Sequence, residues 1–180
     1  AVCRDLSYEE IESRIKNGEE YVLRFRSDGD INNTLELFDG IRGTLKLQEN
    51  YQDFVLLKSD GIPTYHFAHD VDDHLMRTTH VVRGEEWLST APMHAQLFDT
   101  FGWQRPIYCH TPVLMKMDGE TKRKLSKRKD PELGLNYYRQ EGYVPEAVWE
   151  YLMTLLNSNF EQWRAENPDK PIDDFEFTLE

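Results

Sequence analysis

The sequence predicts an α/β fold: half of a doubly wound sheet, preceded by a small α+β piece and followed by helices. Two observations carry this. Phe54-Val-Leu-Leu57 is a continuous apolar run, as expected of a strand covered on both faces. The segments after it alternate with short connections: a helix over 64–76, a strand over 79–83, a helix from Ser89 or Thr90 to Phe101, and a strand over 107–110. Gly102 ends the second helix, and Pro92 is tolerated because it falls in the first turn. Strand, helix, strand, helix, strand is half of a nucleotide-binding sheet, whose ligands sit beyond the carboxyl ends of the strands.

The first 50 residues read differently. Leu6-Ser7-Tyr8-Glu9-Glu10-Ile11 has the form of a helix start: Ser7 as N-cap, Glu10 completing a capping box, Leu6 stapled on Ile11. That helix should reach about Asn17 and stop at Gly18. Residues 21–25 alternate toward a strand, Asp28-Gly29-Asp30 is a turn, and 35–38 and 44–47 are short strands around Asp39-Gly40. Beyond 130, helices are expected at about 133–141 and 145–157. Residues 161–180 hold seven acids and two bases, a net of −5, with Pro168 and Pro171 interrupting any helix, and read as a solvated, partly extended tail.

Totals narrow the function. The chain has 180 residues, 39% of them hydrophobic, and a formal net charge of −12, which argues against a free-standing nucleic-acid binder. No apolar stretch approaches the ~20 residues that span a bilayer, so no membrane partner is expected. Cys3 and Cys109 are too few for a disulfide framework and suit a reducing cytoplasm. With no Cys-x-x-Cys pair, no structural metal is expected. The start at Ala1, without Met or a signal-peptide pattern, suggests a chain that begins in mid-protein.

Against this acidic background, residues 122–129 read Lys-Arg-Lys-Leu-Ser-Lys-Arg-Lys, six positive charges in eight positions. So dense a basic knot costs self-repulsion, and its usual purpose is a polyanion, most often phosphate. Asp118-Gly119 before it and Asp130-Pro131 after it suggest a short flexible loop. A solvated loop or a nuclear-type basic run fits the charge alone. The sheet topology brings this loop toward Arg83-Gly84-Glu85-Glu86-Trp87 and the helix opening at Tyr65. Arg83 has the planar fork that suits a carboxylate, Glu86 offers an acceptor and Trp87 a flat face. A surface ion pair for Arg83 and a core position for Trp87 explain the same residues. His66, His69, Asp70, Asp73 and His74 share one helix face at spacings that can bind zinc, although a polar face beside an anionic-substrate pocket explains them equally.

Lys124-Leu125-Ser126-Lys127-Arg128 resembles the "KMSKS" signature of class I aminoacyl-tRNA synthetases in the KLSKR form of the glutamate enzymes. Lys58-Ser-Asp-Gly-Ile-Pro-Thr-Tyr-His66 and Val81-Val-Arg-Gly-Glu-Glu-Trp-Leu88 stand upstream in the order and at the spacing of glutamyl-tRNA synthetases. Gly142-Tyr-Val-Pro-Glu-Ala-Val-Trp-Glu-Tyr-Leu152 resembles the helix after the loop. The resemblance covers roughly residues 1–160. It implies the second half of a Rossmann-type catalytic domain over 51–130 and the start of a helical stem-contact region over 131–180. Phe38-Asp-Gly-Ile-Arg-Gly43 and Cys3-Arg4 are similar to the end of the acceptor-stem-binding insertion, which would occupy 1–50.

By that resemblance the activity is glutamate–tRNA ligation, with ATP, Mg²⁺ on its phosphates, L-glutamate and tRNA(Glu) as partners. Tyr65, His69 and Arg83 would bind glutamate. Glu86, Trp87 and Leu114 would lie against ATP, while Lys124, Ser126 and Lys127 would meet its phosphates, with the two lysines catalytic. Position 69 is Asn in some family members. No "HIGH"-type motif occurs in these 180 residues, and no anticodon-reading domain is recognisable. The expectation is therefore an internal fragment, inactive alone, which could dimerise through an uncovered half-domain face. A glutamyl-queuosine tRNA synthetase-like paralogue and a non-catalytic RNA-binding or assembly module reusing the fold are the alternatives.

Overall fold

The computed structural model describes residues 3–176. The chain forms two compact units, Ala1–Val82 with Trp87–Cys109, and Arg83–Glu86 with His110–Glu180.

The first unit opens on α1 (Tyr8–Lys16), where both arms of the capping box form: Ser7 Oγ accepts from the Glu10 N–H and Glu10 Oε2 from the Ser7 N–H. β1 (Leu23–Phe25), β2 (Thr34–Asp39), β3 (Gly43–Gln48) and β4 (Phe54–Leu57) follow. β2 and β3 make a hairpin whose register sets Leu35 opposite Leu47 and Leu37 opposite Leu45. Next come α2 (Tyr65–Met76), β5 (His80–Gly84), a 3₁₀ segment (Glu85–Thr90), α3 (Ala91–Thr100) and β6 (Ile107–Thr111).

A four-stranded sheet runs β3-β2-β6-β5, with β2 parallel to β6 and Asp39 beside Tyr108. The mixed α/β class is as the sequence predicts, but the pairing of one strand is not. β4, read as one of three parallel strands, instead pairs antiparallel with β1 in a separate two-stranded sheet. Apolar complementarity explains this. Phe25 and Phe54 stack with ring centroids 5.1 Å apart, and Phe25, Leu56 and Leu97 form a buried cluster that Phe54 and Phe67 flank. β2 takes the place beside β6 because Leu37, Ala91, Ala95 and Tyr108 share one buried cluster. Gly40 allows the close approach: its N–H donates to the Tyr108 carbonyl at 2.8 Å, and a Cβ there would lie 2.7 Å from Cys109 Sγ. At the start of α3 the Thr90 side chain makes no capping bond: its hydroxyl donates back to the Trp87 carbonyl.

In the second unit β7 (Met115–Asp118) and β8 (Thr121–Lys124) form a hairpin about Gly119, whose φ of 64° favours glycine. α4 (Leu135–Gln140), α5 (Pro145–Leu156) and α6 (Ser158–Glu166) complete it. The tail is not extended throughout. Asn157 caps α6 by accepting from the Phe160 N–H, and Phe160 is fully buried against Trp163 and Phe175. Arg164 lies 5.0 Å from the Trp163 ring and pairs with Glu150 on α5. An aromatic cluster outweighs the acidic composition, and Pro168 lies beyond the helix end. Residues 177–180 of the expected tail lie outside the described residues. No helix among the described residues is long and apolar enough to cross a membrane.

Phe160→Ala should destabilise the second unit by about 3 kcal/mol, the usual cost of emptying a fully buried aromatic site. Urea unfolding and amide exchange along α6 would read this; unchanged protection of α6 would contradict the packing described.

Candidate functional site

The second unit gathers segments far apart in sequence. β5 ends at Arg83-Gly84, and the chain then folds so tightly that a Cβ on Gly84 would meet the Glu86 carboxylate at 2.0 Å. Glu86 Oε1 accepts from Lys124 Nζ at 2.5 Å, joining the end of β5 to the first residue of the KLSKR motif. The Lys124 ammonium holds the Glu86 carboxyl below its ordinary range. Arg83 Nε donates to His110 Nε2 at 3.0 Å, and His110 is fully buried. His110 Nε2 is therefore unprotonated, and the bond sets the plane of the guanidinium. The Leu114 carbonyl accepts from the Leu125 N–H at 2.9 Å, so Leu114 adjoins the motif directly.

The basic run divides by role, which its composition did not show. It is not one flexible loop: Lys122, Arg123 and Lys124 lie on β8, and only the residues after them turn. Arg123 makes a bidentate contact with Asp130, at 2.7 and 2.8 Å, and a further one with Asp118 at 2.6 Å. It thus serves the fold rather than a ligand. Asp130 is fully buried and also accepts from the Ser126 N–H at 2.8 Å, with Lys116 Nζ 3.0 Å away. Led by the Arg123 hydrogen bond, these donors hold its carboxyl well below the usual range, while the Asp130 and Asp118 carboxylates push the Arg123 guanidinium up. Lys116 bridges to Glu132 at 2.5 Å. Lys122, Lys127, Arg128 and Lys129 are exposed.

In the first unit, Tyr65 opens α2 after Thr64, whose hydroxyl donates to the Val55 carbonyl at 2.7 Å. The Tyr65 ring stacks on His69, with centroids 5.7 Å apart and planes 8° from parallel, and meets Trp87 at 4.9 Å. Three predicted residues, Tyr65, His69 and Trp87, thus form one aromatic surface. His69 Nδ1 lies 3.1 Å from Asp73 Oδ2. Behind it Asp70 Oδ1 and His94 Nδ1 meet at 2.7 Å, both fully buried, and His66 Nδ1 lies 3.3 Å from His94 Nε2. Possible ligand atoms of His69, Asp70 and His94 fall within 4.8 Å of one another. The short Asp70–His94 contact has the geometry of an imidazole–carboxylate hydrogen bond. His74, read on the same face, stacks instead on Trp103 at 4.1 Å.

His94, His110, Asp130 and Lys116 were not singled out from the sequence. A histidine between Ala91 and Ala95 on an apolar helix, and an aspartate closing a run of cations, were the signals available.

Comparison with known proteins follows the same lines. Residues 1–165 match the family described as tRNA synthetases class I (E and Q), catalytic domain. The glutamate–tRNA ligase of Acetivibrio thermocellus is 64% identical over 99% of this chain and 33% of its own length. That of Clostridium perfringens is 54% identical over 100% and 33%. The chain thus spans about a third of the curated relatives it matches. Among solved structures, the glutamate–tRNA synthetase of Elizabethkingia anophelis aligns with a TM-score of 0.65 at 37% identity, covering 82% of this chain and 32% of that one. A glutamate–tRNA ligase from Elizabethkingia meningosepticum, solved in complex with its amino acid, gives 0.64 at 35%, with the same coverage.

The depressed Asp130 pKa fixes the sign of a pH effect. Its contribution to stability is present above the ordinary carboxylate value and is lost as pH falls through the lower folded value. The Ser126 amide should keep its hydrogen-bonded NMR shift through about pH 3–5, where ordinary carboxylates titrate. A titration of that amide within the interval would contradict the pairing.

Proposed function

We propose that this chain, which belongs to the tRNA synthetases class I (E and Q) catalytic-domain family, supplies part of the active site of a glutamate–tRNA ligase. The reaction joins L-glutamate to ATP as glutamyl-adenylate, then passes the glutamyl group to tRNA(Glu). The observation that carries this reading is the contact of Lys124 with Glu86, which unites two motifs 38 residues apart. Residues 1–50 are assigned to the end of the acceptor-stem insertion, 51–130 to the second half of the catalytic fold, and 131–180 to the stem-contact region. A cytoplasmic enzyme fits this role.

In the activation step a glutamate carboxylate oxygen attacks the α-phosphorus of ATP. The new O–P bond forms as the bond to the β-phosphate oxygen breaks, and pyrophosphate leaves. Negative charge grows on the equatorial and leaving oxygens, so ammonium groups at Lys124 and Lys127 stabilise the transition state more than the ground state. Ser126 offers a hydroxyl donor to the same phosphates, and Mg²⁺ would arrive with the triphosphate. Lys124 must exchange Glu86 for phosphate. Because both groups are about half exposed, the ion pair is worth about 1 kcal/mol or less and gives little resistance. Arg83, oriented by His110, is assigned to a glutamate carboxylate. Tyr65 and His69 are assigned to the glutamate side, and Trp87 and Leu114 with Glu86 to the nucleotide.

Lys127→Ala in the intact ligase should lower the rate of glutamate-dependent ATP–pyrophosphate exchange on the order of 10²-fold, as for one lost transition-state donor. A fall in glutamate affinity alone would refute the phosphate role. Arg83→Ala should weaken glutamate binding; equal damage to ATP affinity would count against a carboxylate clamp. The 180-residue chain alone, with no HIGH-type motif to grip the phosphates from the other side, should show little or no exchange. Robust exchange by a pure sample would overturn that expectation.

A further inference from the structure

Asp130 is held by three groups, Arg123, Lys116 and the Ser126 N–H, and nothing in the ligase reading gives it a role. Its carboxylate is fully buried, yet it directly follows the run 122–129 that carries the proposed phosphate-binding lysines. Oδ2 accepts from Arg123 Nη1 and the Ser126 N–H, and Oδ1 accepts from Arg123 Nη2 and faces Lys116 Nζ. The Lys129 and Asp130 N–H groups both donate to the Ser126 carbonyl, at 3.0 and 2.8 Å. One carboxylate thus closes the turn from Ser126 to Asp130 on itself and ties it to both strands of the hairpin, β8 through Arg123 and β7 through Lys116.

We infer that Asp130 is a positioning residue for the activation step, holding Lys124, Ser126 and Lys127 where a triphosphate would meet them. This rests on the reading of Lys124 and Lys127 as phosphate-binding groups. The chemistry favours position over mere stability. Arg123 and Lys116 hold one buried acid from both strands, and Asp118 and Glu132 pair with the same two cations, so the base of the loop is fixed while Lys127 remains exposed at the turn. A rigid base matters because a displacement of about 1 Å in a charge-stabilising group can cost on the order of 10²-fold in rate. Asn at 130 keeps the shape but loses the charge. The guanidinium, the ammonium and the Ser126 N–H are then left competing for one neutral carbonyl oxygen.

The test is steady-state ATP–pyrophosphate exchange by the intact ligase bearing Asp130→Asn, Lys127→Ala, or both. The expected result is a fall in kcat of at least tenfold for Asp130→Asn, with the KM for glutamate within twofold of the parent. The double variant should be no slower than the slower single one, because both changes remove the same placed ammonium. An unchanged kcat, or multiplicative losses in the double variant, would overturn the inference. If Asp130→Asn does not fold, Arg123→Lys, which keeps the charge but loses the bidentate fork, is judged by the same criteria. Should Lys127→Ala leave exchange unaffected, the phosphate reading itself fails. A loss in Lys127→Ala without one in Asp130→Asn sinks the positioning role alone.

Discussion

An ionised carboxylate removed from water has to be met by donors, or it gives up its charge. Asp130 in the second unit and Asp70 in the first are both fully buried, and each is held by polar partners. Asp130 is satisfied by Arg123, Lys116 and the Ser126 N–H; Asp70 has the His94 imidazole. Removing one partner of such a group leaves an uncompensated charge in a low dielectric, which costs far more than the pair itself contributes. These constellations therefore fix side-chain positions more firmly than the exposed ion pairs do.

That constraint accounts for a basic knot on an acidic protein. Six cations in eight positions look like uniform repulsion, but the fold interleaves acids with them. Arg123 lies between Asp118 and Asp130, and Lys124 meets Glu86; nearby, Lys116 lies between Asp130 and Glu132. The cations left outward, Lys127 among them, stand on a scaffold whose own charge is largely cancelled. A polyanion would meet those groups at the surface, with only the exposed Glu86–Lys124 pair to break.

In the first unit the same logic supports an aromatic surface. Tyr65, His69 and Trp87 touch one another, while the Asp70–His94 pair and His66 lie behind His69 and the Asp73 carboxylate pairs with it. Polar groups behind the surface restrict the tilt of His69 and hence of the Tyr65 ring stacked on it. His69 is therefore held by the Asp73 carboxylate, four residues along the same helix, and Tyr65 by its stacking on His69.

The local sequence already contained what depends on a few neighbouring residues. Ser7 and Glu10 specified the first helix start, and the order of motifs at 65, 83 and 124 the family. Pairing partners and charge partners were not legible, because they depend on groups distant in the chain. Phe54-Val-Leu-Leu57 announced a strand, yet its antiparallel partner was settled by the fit of Phe54 against Phe25. Residues 161–166 read as solvated because composition counts acids and cannot see Phe160 meet Phe175. Within the run 122–129 every cation looks alike; only the folded chain brings two carboxylates up to Arg123 and leaves Lys127 in water. Sequence by itself thus determined which chemical groups this protein carries and in what order. Tertiary structure decided which of those charges are spent inside, since desolvation and pairing act through space and not along the chain.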